Sequence, residues 1–239
     1  MTTDGSAPDR MGHDDVAEPL VARGSRVAAA GFIFAALFLL GWLLQSGAPA
    51  ADASAEDLLG YYGDAAASRG SLVAGLYVIP GACIAFIWFM AALRDRYLHR
   101  AMRENTILST AHVVAGVLVV SSLFILAAVE LAAVWLGQDS GAESPVQGIR
   151  TLLALGEACS SIMALRAAAV FVAVSASRAV RSGVFPRAFG PASVVLALVL
   201  LLLPQVVSWA ALLFPAWVAV ASALILVNLR GRDGVGPGA

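Results

Sequence analysis

Lysine is absent from this chain, and the side chains that carry most enzyme chemistry are scarce. All 15 basic residues are arginine, only three residues are histidine and two are cysteine, and 13% of the chain is charged. Without lysine, the chain cannot form the Schiff base that holds retinal in a membrane protein. Cys83 and Cys159 lie far apart rather than in a C-x-x-C pair, so thiol redox chemistry and zinc binding lack their motif.

The motifs of common enzyme classes are missing as well. The chain has no H-E-x-x-H zinc helix, no G-x-S-x-G nucleophile elbow and no Walker loop. Haem held by two imidazoles needs a second histidine within an apolar run, but His99 lies in a basic loop. These absences predict a protein that is not an enzyme, with no catalytic residue, no metal and no cofactor.

Long apolar runs are what the chain has instead. It is 60% hydrophobic with a mean hydropathy of +0.84. Its charged fraction of 13% is about half of the roughly 25% that soluble domains carry. The predicted membrane spans are residues 27–44, 72–93, 107–136, 152–176, 191–207 and 210–229. The last two form one apolar region, which as a single helix would be about twice the bilayer thickness and is therefore predicted to be a hairpin. The fold class is all-α, a polytopic membrane bundle of six transmembrane helices over residues 25–230.

The arginines fall almost entirely on one side of these spans. The segments on that side carry Arg10, Arg23, Arg26, Arg94, Arg96, Arg100, Arg103, Arg178, Arg181, Arg187, Arg230 and Arg232. The segments on the other side carry only Arg69 and Arg150. By the positive-inside rule, both termini are cytoplasmic. The acidic residues 1–24 are predicted to be a disordered tail and residues 231–239 a second cytoplasmic tail.

Two features near the first span have alternative interpretations. Ala48-Pro-Ala50 resembles a signal-peptide cleavage site. The apolar run before it, about 18 residues, is longer than the apolar region of a usual signal peptide, so we expect the first span to be retained in the protein. Ser54-Ala-Glu-Asp57 is typical of a capping box and predicts a short amphipathic helix on the membrane surface. Tyr61 and Tyr62 are expected to anchor this helix at the interface, with contact to a ligand as the alternative.

Four ionisable side chains fall inside the predicted spans. They are His112 and Glu130 in the third span, and Glu157 and Arg166 in the fourth. A charge at the bilayer centre costs at least about 2.5–3.5 kcal/mol, so these residues should face protein or water and have partners. The face of Glu157 also carries Ser160, Ser161, Ala164, Ala168 and Ser175. Arg166 points the opposite way, and small residues on both faces predict that the fourth span is central.

The partners of these four residues stay open at this point. Glu157 faces Glu130 in one arrangement, in which the two carboxylates share a proton. Arg166 reaches backbone carbonyls, a loosened backbone near Pro80, or an anionic ligand. We expect His112 to be a hydrogen-bonded structural residue near the cytoplasmic interface. Pro80-Gly81 predicts a kink in the second span.

The chain resembles a family of uncharacterised six-span membrane proteins from high-GC bacteria. The resembling segments are Ser54-Ala-Glu-Asp-Leu-Leu-Gly-Tyr-Tyr62, Trp88-Phe-Met-Ala-Ala-Leu-Arg94, Gly183-Val-Phe-Pro-Arg187 and Pro215-Ala-Trp-Val218. The resemblance covers roughly residues 25–230 of the chain. The resemblance implies a six-helix fold in the bacterial plasma (inner) membrane, and it brings no activity, substrate or catalytic residue.

Two functions of different classes remain. The first is a non-enzymatic protein that acts in the lipid bilayer through a membrane protein partner or as a homo-oligomer, and short loops with weak motifs favour it. The second is a small-solute or proton-coupled transporter that uses Glu130, Glu157 and Arg166. Nothing in the sequence indicates a nucleic-acid partner.

Overall fold

The computed structural model describes residues 20–94, 106–139, 141, 145–181, 185–202 and 208–233, and within these ranges every regular element is helical. The α-helices are α1 Leu20–Gln45, α2 Ala55–Tyr62, α3 Arg69–Val73, α4 Ile79–Leu93, α5 Thr106–Gln138, α6 Pro145–Ala158, α7 Leu165–Arg181, α8 Phe189–Leu202 and α9 Leu213–Asp233. The π-helical segments Ala74–Val78 and Cys159–Ala164 join α3 to α4 and α6 to α7, and a 3-10 turn, Ser208–Leu212, precedes α9.

Five helical stretches are long and apolar enough to cross a membrane. They are Ser25–Gln45, Arg69–Leu93, Ile107–Gln138, Pro145–Ser177 and Trp209–Asn228. The all-α prediction is therefore confirmed, and these stretches cover the first, second, third, fourth and sixth predicted spans. The predicted fifth span, 191–207, is helical over Phe189–Leu202, which is 14 residues long. The predicted tail 1–24 is already helical from Leu20, and α9 extends into the predicted tail 231–239 as far as Asp233. Residues 1–19 and 234–239 and most of the proposed hairpin turn lie outside the described residues.

The long helices are arranged in a ring. Going around it, α1 packs against α4, α4 against α5, α5 against α7, α7 against α8, and α9 returns to α1. The ring also closes between α8 and α9, where the Trp217 indole N–H donates to the Ser193 hydroxyl at 2.9 Å. The prediction that the fourth span has neighbours on both sides is confirmed, because α7 contacts both α5 and α8.

Aromatic rings fill the centre of this arrangement. Phe34, Phe86, Phe171 and Phe214 come from α1, α4, α7 and α9. Phe86 lies 5.0 Å from Phe34, 5.2 Å from Phe171 and 5.4 Å from Phe214 between ring centroids. All four are buried, and tilted or edge-on ring pairs of this kind add stability beyond burial alone. We call these four residues the phenylalanine cluster.

A second, smaller core holds the short helix α2 against the bundle. Leu58 and Tyr62 of α2 are fully buried with Ala133 and Val134 of α5 and Ile149 of α6. The Ser54 hydroxyl accepts the Asp57 amide N–H at 3.1 Å, so the predicted cap is confirmed. Burial of Tyr62 differs from the expected interfacial anchor, because its ring packs onto α5 and α6 instead.

The predicted irregularity of the second span appears as a π-helical turn. At the end of Ala74–Val78, the Ile79 amide donates to the carbonyl of Ala74, five residues back. Pro80 follows in the first turn of α4 and has no amide proton to continue the α-helical pattern. The distortion therefore begins about one turn before Pro80-Gly81.

Close packing of α1 depends on Gly31. A Cβ atom at this position would overlap the Ser222 hydroxyl of α9 and lie 2.9 Å from Phe89 Cδ2 of α4. At Gly47, by contrast, a Cβ atom would meet no atom within 4 Å. We expect Gly31→Leu to destabilise the bundle by about 1–3 kcal/mol through overpacking, and Gly47→Leu to leave it unchanged.

Unfolding in micelles can be followed with a thiol-reactive fluorophore, because Cys83 and Cys159 are both buried in the folded protein. The Gly31→Leu protein should become reactive at a lower temperature than the wild type. Equal melting of the Gly31→Leu and Gly47→Leu proteins would contradict the packing described for α1.

Candidate functional site

A cavity of about 310 Å³ lies inside the ring of helices. Its apolar walls include Phe38, Ile79, Leu123, Ala168 and Phe214. Its polar lining consists of Trp42, Gln45, Glu157, Ser160 and Ser161. Every helix that contributes to the phenylalanine cluster also contributes to the cavity, and α5 adds Val119, Leu123 and Leu126. A mainly apolar cavity with a few convergent polar groups is typical of a small-molecule site.

The phenylalanine cluster closes one side of this cavity. Phe34 lies about one helical turn beyond Phe38 in α1, and Phe171 lies about one turn beyond Ala168 in α7. Phe214 belongs to both the cavity wall and the cluster. The closed side is therefore the one toward the helix ends that carry the arginines.

Glu157 is the one ionisable side chain among the described residues that line the cavity. Of the stripe predicted from helical periodicity, Ser160, Ser161, Ala164 and Ala168 line the cavity together with Glu157. Ser175, predicted on the same stripe, bonds His112 instead and does not line the cavity. The hydroxyls of Ser160 and Ser161 donate to the Glu157 backbone carbonyl at 3.0 and 2.7 Å. Their lone pairs remain available as acceptors.

Gln45 and Trp42 are site residues that the sequence analysis missed. The Gln45 Nε2 atom is buried and has no hydrogen-bond partner among the described residues. Both side chains lie on one stripe of α1 with Phe38 and Gly41, at spacings of three and four residues. That periodicity was the available signal, but a tryptophan near the end of a span is ordinarily explained as an interfacial aromatic residue.

Arg166 lies outside the cavity lining and serves the adjacent π-helical segment. At its end, the Leu165 amide donates to the carbonyl of Ser160, five residues back, so the Ser161 carbonyl does not receive the α-helical bond from Leu165. The Arg166 guanidinium donates to the carbonyls of Ser161 and Ile162 at 3.4 and 3.3 Å. The first of the predicted partners, backbone carbonyls, is therefore confirmed, and the guanidinium satisfies groups that the wide turn exposes.

Glu130 and Glu157 have different surroundings. The Tyr62 hydroxyl of α2 donates to Glu130 Oε2 at 3.5 Å. Next to this contact, the Tyr61 hydroxyl forms a hydrogen bond with the Ser71 hydroxyl of α3 at 3.1 Å. Glu130 thus bonds a residue of α2, and the considered pairing of the two carboxylates is not found among the described contacts.

The Tyr62 phenol is held in its donor form. Burial raises its pKa above the ordinary value, and the Glu130 carboxylate raises it further. Tyr62 therefore keeps its proton for Glu130. The small residue Gly137 permits this approach, because a Cβ atom there would lie 2.6 Å from the Tyr62 backbone carbonyl oxygen.

His112 has the structural role that we expected. The ring is fully buried, its Nδ1 lies 3.1 Å from the Ser175 hydroxyl of α7, and it stacks on Phe171 at 4.5 Å between centroids. It joins α5 to α7 beyond the phenylalanine cluster and does not line the cavity. Of the four ionisable residues singled out from the sequence, only Glu157 lines the cavity.

The contact between Tyr62 and Glu130 predicts a loss of stability in the Tyr62→Phe variant. Removing the hydroxyl takes a donor from a partly buried carboxylate, which costs about 1–3 kcal/mol. The thiol-reactive melting assay should show a lower transition temperature. Tyr77→Phe is the matched control, since the Tyr77 side chain is 70% exposed. An unchanged transition for Tyr62→Phe would mean that this hydrogen bond does not support the fold.

Comparison with protein-family models, curated proteins and solved structures finds no match for the chain. The site combines a partly open cavity with apolar walls, one carboxylate, two hydroxyl oxygens and one buried amide nitrogen that has no partner among the described residues.

Proposed function

We propose that this chain is a polytopic membrane protein that carries a small solute through its central cavity. The observation that supports this most is the placement of Glu157 in that cavity, while Glu130, Arg166 and His112 are engaged in holding helices together. A protein that acts only as a scaffold has no need of a charged cavity. Two predictions from the sequence stay predictions: that the protein acts through membrane partners, and that it is not an enzyme.

The two π-helical segments also support a carrier. Cys159–Ala164 contributes Ser160, Ser161 and Ala164 to the cavity, and Ile79 lines it directly after Ala74–Val78. π-Helical turns occur frequently at functional sites, and many carriers place their substrate beside interrupted helices near the bilayer midplane. In this proposal the phenylalanine cluster is the closed gate of one conformation, and it separates in the other.

The proposed membrane arrangement has six spans, with α8 and α9 forming the final hairpin. The apolar composition of 191–229 and the arginine distribution support it. Both termini then face the cytoplasm of a bacterium, and the gate lies on the cytoplasmic side. The Asp52 segment lies outside, and the Arg187 segment lies inside.

Transport can be measured as uptake into proteoliposomes with a panel of small alcohols, amines and carboxylates. We expect uptake of at least one class above that of empty liposomes. Leu126→Trp, which fills the cavity from its half-buried wall, should reduce this uptake to a tenth or less. Leu118→Trp is the matched control, because Leu118 is on the same helix but exposed, outside the cavity lining.

Uptake equal to that of empty liposomes for every solute would contradict the carrier proposal. Equal uptake by the Leu126→Trp and Leu118→Trp proteins would show that solutes do not pass through this cavity. The thiol-reactive melting assay checks that both variants are folded.

The proposed topology predicts a difference between two introduced cysteines. Asp52 and Arg187 are both exposed, whereas the native cysteines are buried. A membrane-impermeant maleimide should label Asp52→Cys on intact cells, and it should label Arg187→Cys only after the membrane is opened. The reverse pattern would invert the orientation, and labelling of both on intact cells would contradict the six-span arrangement.

A further inference from the structure

The charge balance of the cavity is uneven. Glu157 contributes a carboxylate, and no cationic side chain is among the described residues that line the cavity. The nearest cationic residue along the helix, Arg166, donates to the carbonyls of Ser161 and Ile162. Arg166 is also absent from the cavity lining, so its charge does not face the same space as the carboxylate.

The neutral polar groups beside Glu157 are mostly acceptors. Because Ser160 and Ser161 donate their protons to the Glu157 carbonyl, each offers only oxygen lone pairs to a ligand. Together with the carboxylate they form a patch that suits a group with several N–H donors. An anion would meet like charge and lone pairs there, and a neutral apolar molecule would leave the carboxylate unpaired.

The remaining lining combines one buried donor with hydrocarbon walls. Gln45 Nε2 is a buried donor without a partner among the described residues, and it suits one acceptor atom on the ligand. Most of the wall is hydrocarbon, including Phe38, Leu123 and Phe214. A volume of about 310 Å³ accommodates a small organic molecule rather than a bare inorganic cation.

We infer that the central cavity binds a small organic monocation, a primary or secondary ammonium on an apolar body, with the ammonium at Glu157. This inference rests on the proposed carrier function and names its substrate class. The ammonium donates to the carboxylate and to the oxygens of Ser160 and Ser161. The apolar body occupies the walls toward the phenylalanine cluster.

The test uses four probes of the same chain length: hexylammonium, 1-hexanol, hexanoate and hexyltrimethylammonium. Binding to the full chain in lipid nanodiscs is measured by isothermal titration calorimetry, with empty nanodiscs subtracted because each probe also enters lipid. We expect hexylammonium to bind at least tenfold more tightly than hexanol or hexanoate. Hexyltrimethylammonium should bind more weakly than hexylammonium, since it has no N–H to donate.

Variants locate the effect at Glu157. Glu157→Gln should bring the affinity for hexylammonium down to that for hexanol, and it should leave hexanol binding unchanged. Glu56→Gln is the control, because it removes a carboxylate from the exposed face of α2, away from the cavity. The comparison of probes on the wild-type protein needs no variant, so it stands even if Glu157→Gln fails to fold.

Two different failures can be separated. If hexanol or hexanoate binds as tightly as hexylammonium, and Leu126→Trp abolishes that binding, the cavity is a solute site but the ammonium inference is wrong. If no probe binds above empty nanodiscs and no solute is transported, both the inference and the carrier proposal fail. Retention of hexylammonium selectivity in folded Glu157→Gln would also overturn the inference.

Discussion

A polar group inside an apolar helix bundle has no water to bond, so its partners must come from the protein itself. Most of the internal architecture follows from this requirement. Arg166 bonds carbonyls of the neighbouring π-helical segment, His112 bonds Ser175, and Glu130 accepts the Tyr62 hydroxyl. Each of these contacts joins segments that are distant in the sequence or repairs an irregular turn. Glu157 is the exception, and its exposure to the cavity is the reason for assigning function there.

The phenylalanine cluster and the cavity are two parts of one central column. Large rings from four helices fill the column on the arginine side, whereas small residues such as Ala164 and Ala168 leave space on the other. The same helices therefore form both the closed layer and the open one. In the proposed carrier, a modest separation of the rings would connect the cavity to the arginine side of the bundle.

Much of this organisation could be predicted from the sequence. Apolar run lengths placed five long helices within a few residues, except for the start of the fourth, which lies at Pro145 rather than at 152. Helical periodicity correctly grouped Glu157 with Ser160, Ser161 and Ala168 while directing Arg166 away. These features depend on local composition and on the regular geometry of one helix. The burial of Tyr62 and the cavity positions of Trp42 and Gln45 depend on which helices become neighbours. A single helix pattern carries no information about that arrangement.

The π-helical segment Cys159–Ala164 also sets the register between the two halves of its long helix. A wide turn of this kind holds about one more residue than an α-helical turn, so it rotates everything that follows by roughly 100° relative to an unbroken helix. Glu157 lies before the segment and Ser175 after it. Deleting one residue there would restore an uninterrupted helix yet turn Ser175 away from His112. The number of residues in Cys159–Ala164 is thus fixed by the contacts on either side of it. Insertions and deletions should therefore be tolerated least in this irregular segment.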